Sequence, residues 1–423
     1  MKQTPHMRTL ALLAWRNLWR NSRRTLITLT TVTLGFAIAV FFIGIGDGAH
    51  NQMIRNGVRM GDGHLAVLPK GYLEAPANHV FLRQGKAAAR ILAASGVVGR
   101  VSPRINLQVL ASTANNSVGA MLQGMVLDKD PRAESIKKGI IQGVWPLTAD
   151  SRGVVIGSRM AAKLKAKVGS KIVVLAGTSA GESSSRLGRV RAVFHTGVDD
   201  LDGYVMLSNL EFARAFLLEE GGEAALEPVT SFGILLDNET TLPLWEARLK
   251  GLQWPAEAQV ADWREIMPQL VNYILVDDMG NYVALGFVLV MVAFGILNTI
   301  SMSVLERTRE FGLLRALGMN PLGVMLLVMW EAWWLSLVSL VLGWTVGGGI
   351  HQYFATQGWD LSKMMGDQGL VTSGVVMDPV LYSELSWGRV GLLTLVILAT
   401  ILISGLYPAF RAFRVTPVQA LET

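Results

Sequence analysis

Four stretches of the chain, residues 26–45, 283–304, 324–347 and 390–407, are almost unbroken runs of apolar side chains. A bilayer core is crossed by about 20 helical residues. Each run is therefore a predicted transmembrane helix, the last one extended through 388–391. The long interval between the first two runs has a different pattern. "GDGHLAVLP" alternates like a strand, and "RGVVIGSRMAAKLKAKVGSKIVVLAG" reads as strand, helix, glycine turn and strand. "RVRAVFHTGVDDLDGYVMLSN" reads as two strands around a loop, "LEFARAFLLEE" as a short helix and "VTSFGILLDN" as another strand. The predicted fold is an integral membrane α-helical protein of four transmembrane helices, with a large α+β extracytoplasmic domain between helices 1 and 2. The segments are an amphipathic elbow helix (1–24), the first span (25–46), the outer domain (47–276), the second span (277–304) and a charged helix (305–321). The third span (322–350), an outer loop (351–388), the fourth span (389–408) and a tail (409–423) complete the chain. Residues 47–60 and 262–282 read as helices that continue the first two spans outward as stalks.

Composition agrees with this class. Hydrophobic residues make up 51% and charged ones 17%, against about 25% charged in a typical soluble domain, and mean hydropathy is +0.38. Residues 1–25 carry Lys2, Arg8, Arg16, Arg20, Arg23 and Arg24 without an acid, whereas 351–388 holds Asp360, Asp367, Asp378 and Glu384 against Lys363. By the positive-inside rule both termini and the charged helix lie in the cytoplasm. The net charge of +6 is that topological bias and no sign of nucleic-acid binding. The first run is too long for a signal-peptide core, and "GIGDGAHNQ" after it lacks a small-residue cleavage pattern, so it reads as an uncleaved anchor. Cysteine is absent, which excludes disulfides and thiolate metal sites.

No G-x-x-x-x-G-K-[ST], H-E-x-x-H or G-x-S-x-G occurs, so the chain brings no P-loop and no recognisable hydrolase or zinc-protease motif. "HTGVDDLD", with His195, Asp199, Asp200 and Asp202, reads as a polar hairpin tip rather than a metal site. Glu331 lies inside the third span, where an ionisable group is costly and meets a partner. Asn298 of the second span is a candidate mate, and a proton or substrate site is the alternative. Trp330, Trp333 and Trp334 are too deep for an interfacial belt and read as helix packing, with a lipid-accessible groove as the alternative. In "VLERTREFGLLRALGMNP", Glu306 and Glu310 share a helix face, as do Phe311 and Arg315. Gly318 and Pro321 end the element. Arg307, Arg309, Gly312 and Leu314 complete a short helix, charged on one side and apolar on the other, suited to a protein partner or a headgroup layer.

"NTISMSVLERTREFGLLRALG" resembles the second-span and coupling-helix signature of the FtsX-type permeases of ABC transporters, the group that includes MacB, LolC and LolE. "RNLWRNSRRTLITLTTVTLG" resembles their elbow, and "GHLAV", "VVIGSRMAAKLKAKVGSKIVV", "FHTGVDDLDGYVMLS" and "YPAFRAFRVTPVQAL" their outer-domain and C-terminal patterns. Glu331 falls where these permeases commonly carry a glutamate. The resemblance implies a dimer, with a second copy or a homologous permease, docking residues 305–318 onto a separate cytoplasmic ABC ATPase dimer. ATP and Mg would be bound there, leaving no cofactor in this chain and no enzymatic site. It further implies mechanotransmission, in which the ATPase reshapes the outer domains without moving substrate through the membrane core.

The 351–388 loop resembles the Lol-type third loop, which favours release of lipoprotein or another lipid-linked cargo from the bacterial inner membrane, with a periplasmic lipoprotein carrier as a further partner. MacB-like efflux of amphipathic compounds through an adaptor, or FtsX-like signalling to periplasmic partners, is the alternative. The cargo groove is expected between the outward halves of the first two spans, at Phe36, Val40, Phe41, Phe42, Val288 and Met291, open to membrane lipid.

Overall fold

The computed structural model describes residues 7–146, 150–177, 182–220, 222–362, 371–372 and 375–416. The closing "PVQAL" pattern and part of the third loop lie outside the described residues. The chain divides into a helical unit, formed by the N-terminal residues to Asn51, Ile274–Asp360 and the chain from Val380, and an α+β unit of Gln52–Tyr273 with Leu361–Pro379.

In the helical unit a short helix, Met7–Arg20, precedes four helices long and apolar enough to cross a membrane: Ser22–Met60, Pro268–Glu306, Pro321–Gln357 and Trp387–Phe413. They are called here the elbow and the first to fourth spans. The first two have 39 residues each, about 58 Å of helix and roughly twice what a bilayer needs. Between the second and third spans stands Thr308–Ala316, the charged helix. The elbow buries Leu10, Ala14 and Leu18, one face at i, i+4, i+8. That face packs on the third span, where Trp334 Nε1 donates to the Ala11 carbonyl at 3.0 Å and the Trp15 and Trp334 rings meet edge to face at 5.1 Å. Trp334 is thus a packing residue, while Trp330 and Trp333 line an apolar groove of about 360 Å³ with Met7, Leu326, Met329 and Leu402.

First and third spans meet through small residues. A Cβ on Gly343 would stand 2.8 Å from the Phe36 ring, and one on Gly347 would stand 3.2 Å from Ala37 and Val40. Such a small-x-x-x-small pair lets helix backbones approach closely where lipid supplies no hydrophobic drive.

The α+β unit is built on ten strands: β1 (Leu65–Pro69), β2 (Gly99–Ser112), β3 (Ser117–Met125), β4 (Ile140–Gly143), β5 (Gly153–Gly157), β6 (Lys171–Gly177), β7 (Ser183–Phe194), β8 (Val205–Asn209), β9 (Ser231–Leu236) and β10 (Ala258–Asp262). Their order is β10-β1-β9-β2-β3-β8-β5-β7-β4, and β6 pairs with both β2 and β7. Strands β2, β3, β8, β5, β7 and β6 therefore close into a ring, which removes free edges. Pairing is antiparallel apart from β3 with β8 and β5 with β7.

The last turn of the first-span helix is seated in this unit by two buried arginines. Arg104 of β2 grips Asp130 with two bonds of 2.7 Å, reaches Asp62 at 3.0 Å and donates to the Gly61 carbonyl, while Arg132 donates to the Met60 carbonyl. Cations on terminal carbonyls complement the negative end of the helix dipole. Burial pushes the Arg132 guanidinium down to about 10.

Candidate functional site

The charged stretch turns most of its charges inward, onto its own chain. Glu306, at the end of the second span, accepts two bonds from Arg24 at 2.6 and 2.8 Å. Glu310 is paired with Arg20 at 2.7 Å and with Arg307 at 3.0 Å. Arg307 is buried, lies over the Phe311 ring at 5.1 Å and donates to Glu331 at 2.6 Å. Glu331 also accepts from Asn17 of the elbow at 3.0 Å. Three arginines and three glutamates from the elbow, three spans and the charged helix are thus paired, Arg24 with Glu306 and the other four in one chain of ion pairs. It borders a small polar cavity of about 50 Å³ that Thr25, Thr299 and Ser303 also line. Burial pulls the Glu310 carboxyl upward, but hydrogen bonds from Arg20 and Arg307 outweigh it and hold the group below the usual glutamate range.

Two expectations change. Glu331 is held by Arg307 and Asn17 instead of Asn298, which is exposed on the second span. A carboxylate at this depth needs a full charge opposite it, and an amide would not supply one. Glu306, Arg307 and Glu310 are likewise engaged within the chain. Phe311 and Gly312 are buried, Leu314 and Arg315 are half-buried, and Arg315 donates to the Val415 carbonyl. What the helix leaves outward is Arg309, Leu313 at 56% exposure and Leu317 at 78%. Leu313 was missed in the sequence because it lies inside the Phe311/Arg315 pair and belongs to neither pair that the i, i+4 pattern picks out.

The expected groove residues also part company. Phe36 and Val40 are fully buried in the bundle, drawn there by Gly343 and Gly347. Val288 is half-buried and, with Val292, crowds Gly35, so the first two spans pack closely at that level. Thr28 and Thr299 add a 2.8 Å hydrogen bond one step further along. Phe41 stacks among Phe42, Phe354 and Trp359. Phe42 and Met291 remain outward, at 57% and 65% exposure, joined by Phe287 at 69%. The other ends of these spans carry a polar cluster that sequence reading did not single out: Asp47, His50, Asp277, Asp278 and Arg389.

In the α+β unit, Asp202 is buried and accepts from Thr196, and it stands 2.6 Å from His195, while Asp199 pairs with Arg159. Among the described residues no group of three side chains is arranged to hold a metal.

The family described as the MacB-like periplasmic core domain matches residues 25–252, more than half of the chain, and the FtsX-like permease C-terminal family matches residues 282–417. The lipoprotein-releasing system transmembrane protein LolE of Haemophilus influenzae is 23% identical over 99% of this chain and 100% of its own length. A LolC of Xylella fastidiosa is 22% identical over 92% of each. The macrolide export ATP-binding/permease protein MacB of Hyphomonas neptunium is 25% identical over 97% of this chain and 60% of its own. An α+β periplasmic domain inserted between the first two of four spans, and these matches along nearly the whole length, place the chain in a family: it belongs to the FtsX/MacB-type permeases of ABC transporters, bacterial inner-membrane proteins of the LolC, LolE and MacB kind.

Proposed function

We propose that this permease couples ATP hydrolysis by a separate cytoplasmic ATPase to movement of its periplasmic domain, and that the movement extracts a lipoprotein or other lipid-linked cargo from the inner membrane. The observation that carries this reading is the apolar outward half of the first two spans, where Phe42, Phe287 and Met291 are exposed. A small polar or ionic substrate needs polar groups along its path, and residues 36–45 and 283–292 offer none. An acyl chain gains about 0.8 kcal/mol per buried CH₂ but loses nearly as much on leaving the bilayer. Selection must therefore come from the shape of the groove and from contacts with the peptide portion. Full-length likeness to LolE and LolC supports the same cargo class.

The basic residues before the first span support cytoplasmic termini. The ATPase would then meet Arg309, Leu313 and Leu317, while the inward-turned charges fix the helix to the spans it must move. ATP and Mg would be held by that partner. A second permease, identical or homologous, would cover Asn298, because an amide left facing lipid lacks hydrogen-bond partners.

Photo-crosslinkers at Phe42 and Met291 test the cargo. Capture of a lipoprotein before ATP is added supports the proposal. Capture of bulk phospholipid alone, with lipoprotein sorting intact after depletion of the protein, rejects it in favour of efflux. Orientation is checked with single cysteines at the exposed Leu244 and Leu317, since the native chain has none. An impermeant maleimide should reach 244 and not 317.

A further inference from the structure

Arg389, at the start of the fourth span, joins that span to the first two. Its guanidinium donates to Asp47 of the first span at 2.6 Å and to both carboxylate oxygens of Asp278 of the second span, at 3.0 and 2.6 Å. The Ser386 amide donates to the other Asp47 oxygen at 3.3 Å. Next to this bridge, Asp277 is met by His50 at 2.9 Å and by Asn281 at 3.1 Å, and His50 is 3.7 Å from Asp278. Arg389 thus binds two carboxylates, Asp47 and Asp278, with Asp277 beside them on His50. Like charges at such separations repel, so at this level the guanidinium holds Asp47 and Asp278 together, and the His50–Asp277 hydrogen bond is the other tie between the first and second spans. At the level of Gly35 and Val292 the same two spans are held by packing alone. The exposed Phe42 and Met291 lie between these two levels in both sequences.

We infer that Arg389 is an ionic latch that closes the outer mouth between the first and second spans, and that it releases its carboxylates when lipid-linked cargo enters between them. The cargo clause rests on the proposed function; the latch itself rests on the geometry. Arg389 is 37% exposed where Asp47 is 8%, so water reaches the cation and can replace its partners as they separate. Because the cation belongs to the fourth span and its partners to the first two, a shift of the fourth span against the others releases both carboxylates at once and leaves the His50–Asp277 hydrogen bond as the remaining polar tie across the mouth. A bidentate fork is also geometrically demanding, which makes the closed state a defined one.

The test uses the full chain with its ATPase in nanodiscs and Gly46→Cys as the single thiol. Gly46 is half-buried, and a Cβ there would lie in ordinary contact with the Asn281 amide of the second span, at 3.4 Å. Arg389→Ala should raise the rate of modification by an impermeant maleimide about tenfold or more, the change produced by about 1.4 kcal/mol of lost closure. Arg389→Lys, which keeps the charge and loses the fork, should fall between, and it preserves the test should the alanine variant fail to assemble. Rates equal to the parent in the assembled variants overturn the latch. Capture of lipoprotein at Phe42 is read in parallel. Faster labelling without any capture in the parent leaves the latch standing and removes the lipoprotein reading. Capture with unchanged labelling does the reverse.

Discussion

At one end of the spans three arginines meet three glutamates; at the other, one arginine meets two aspartates and a histidine a third. The first set is balanced, and at its centre Arg307 and Glu331 have side chains only 7% and 12% exposed. A buried pair of this kind contributes modestly when intact but is very costly to halve, because one charge is left without a partner in low dielectric. It fixes the elbow, the charged helix and the third span in one arrangement. The second set has an excess of negative charge and a water-accessible cation, so the grip on Asp47 and Asp278 rests on one removable group. An ATPase pushing on Arg309, Leu313 and Leu317 would therefore move a rigid end and open a weak one. Within one bundle, charge balance would then separate the part that transmits force from the part that yields to it.

The largest expected effect breaks the balanced end. Glu331→Ala should cost up to about 3–5 kcal/mol by leaving the buried Arg307 with only the solvent-exposed Glu310, read as loss of folded permease after extraction and a lower midpoint of thermal unfolding. Adding Arg307→Met should recover part of that loss, since the stranded charge is gone. If Glu331→Ala is as stable as the parent, or if the double variant is worse than the single, the balanced end is not the fixed one.

A smaller effect probes the bundle between the two ends. Gly343→Ala would place its Cβ 2.8 Å from the Phe36 ring, and overpacking of this kind costs about 1–3 kcal/mol. It should lower the unfolding midpoint without altering ATPase association or thiol exposure at position 46. A change confined to thiol exposure would mean that the seam between the first and third spans belongs to the opening end.

Much of this was legible in the sequence, and the failures have a common cause. The four spans, the intervening α+β domain and the charged helix follow from hydropathy and from period-two and period-3.6 patterning, which report burial directly. Partner identity does not follow. Glu331 was readable as a residue needing a mate, but Asn17 lies 314 positions away in sequence, and helical periodicity cannot choose between Asn298 and Arg307. Phe36 and Val40 read as lipid-facing because an apolar side chain looks the same against lipid and against a glycine seam. The pattern Gly343-x-x-x-Gly347 carried the missing signal. Arg389 and Asp278 sat at span boundaries, where topology rules account for charged residues and conceal a specific pair. Arg104, a buried cation within the apolar alternation of β2, was an ion that strand patterning could flag.

At the yielding end, a single deletion should be mild. Asp278→Asn leaves Arg389 bound to Asp47 and removes one of three repelling charges, so a stability loss of about 1 kcal/mol is expected, as for a partly exposed pair. Raising salt from low to high concentration should shrink the difference from the parent, because exposed charges are screened over about 3 Å at 1 M. The Glu331→Ala loss should be almost insensitive to the same change. Equal salt dependence at the two ends would remove the distinction on which the comparison stands.

The smallest effect concerns a residue that belongs to neither end. Asn298 lies on the second span, exposed, between Thr299, which is bonded to Thr28, and the half-buried Leu297. If a second permease covers it, Asn298→Leu removes one interhelical hydrogen bond, worth on average about 0.6 kcal/mol in a membrane. That is less than a threefold change in association, measurable by single-molecule subunit counting across a dilution series in bilayers. The monomer should be as stable as the parent, because Asn298 makes no hydrogen bond to another described residue. A weakened monomer with unchanged association would assign the amide to its own bundle. A weakened association with an unchanged monomer places the second subunit on this face, beside the spans whose outer mouth Arg389 holds shut.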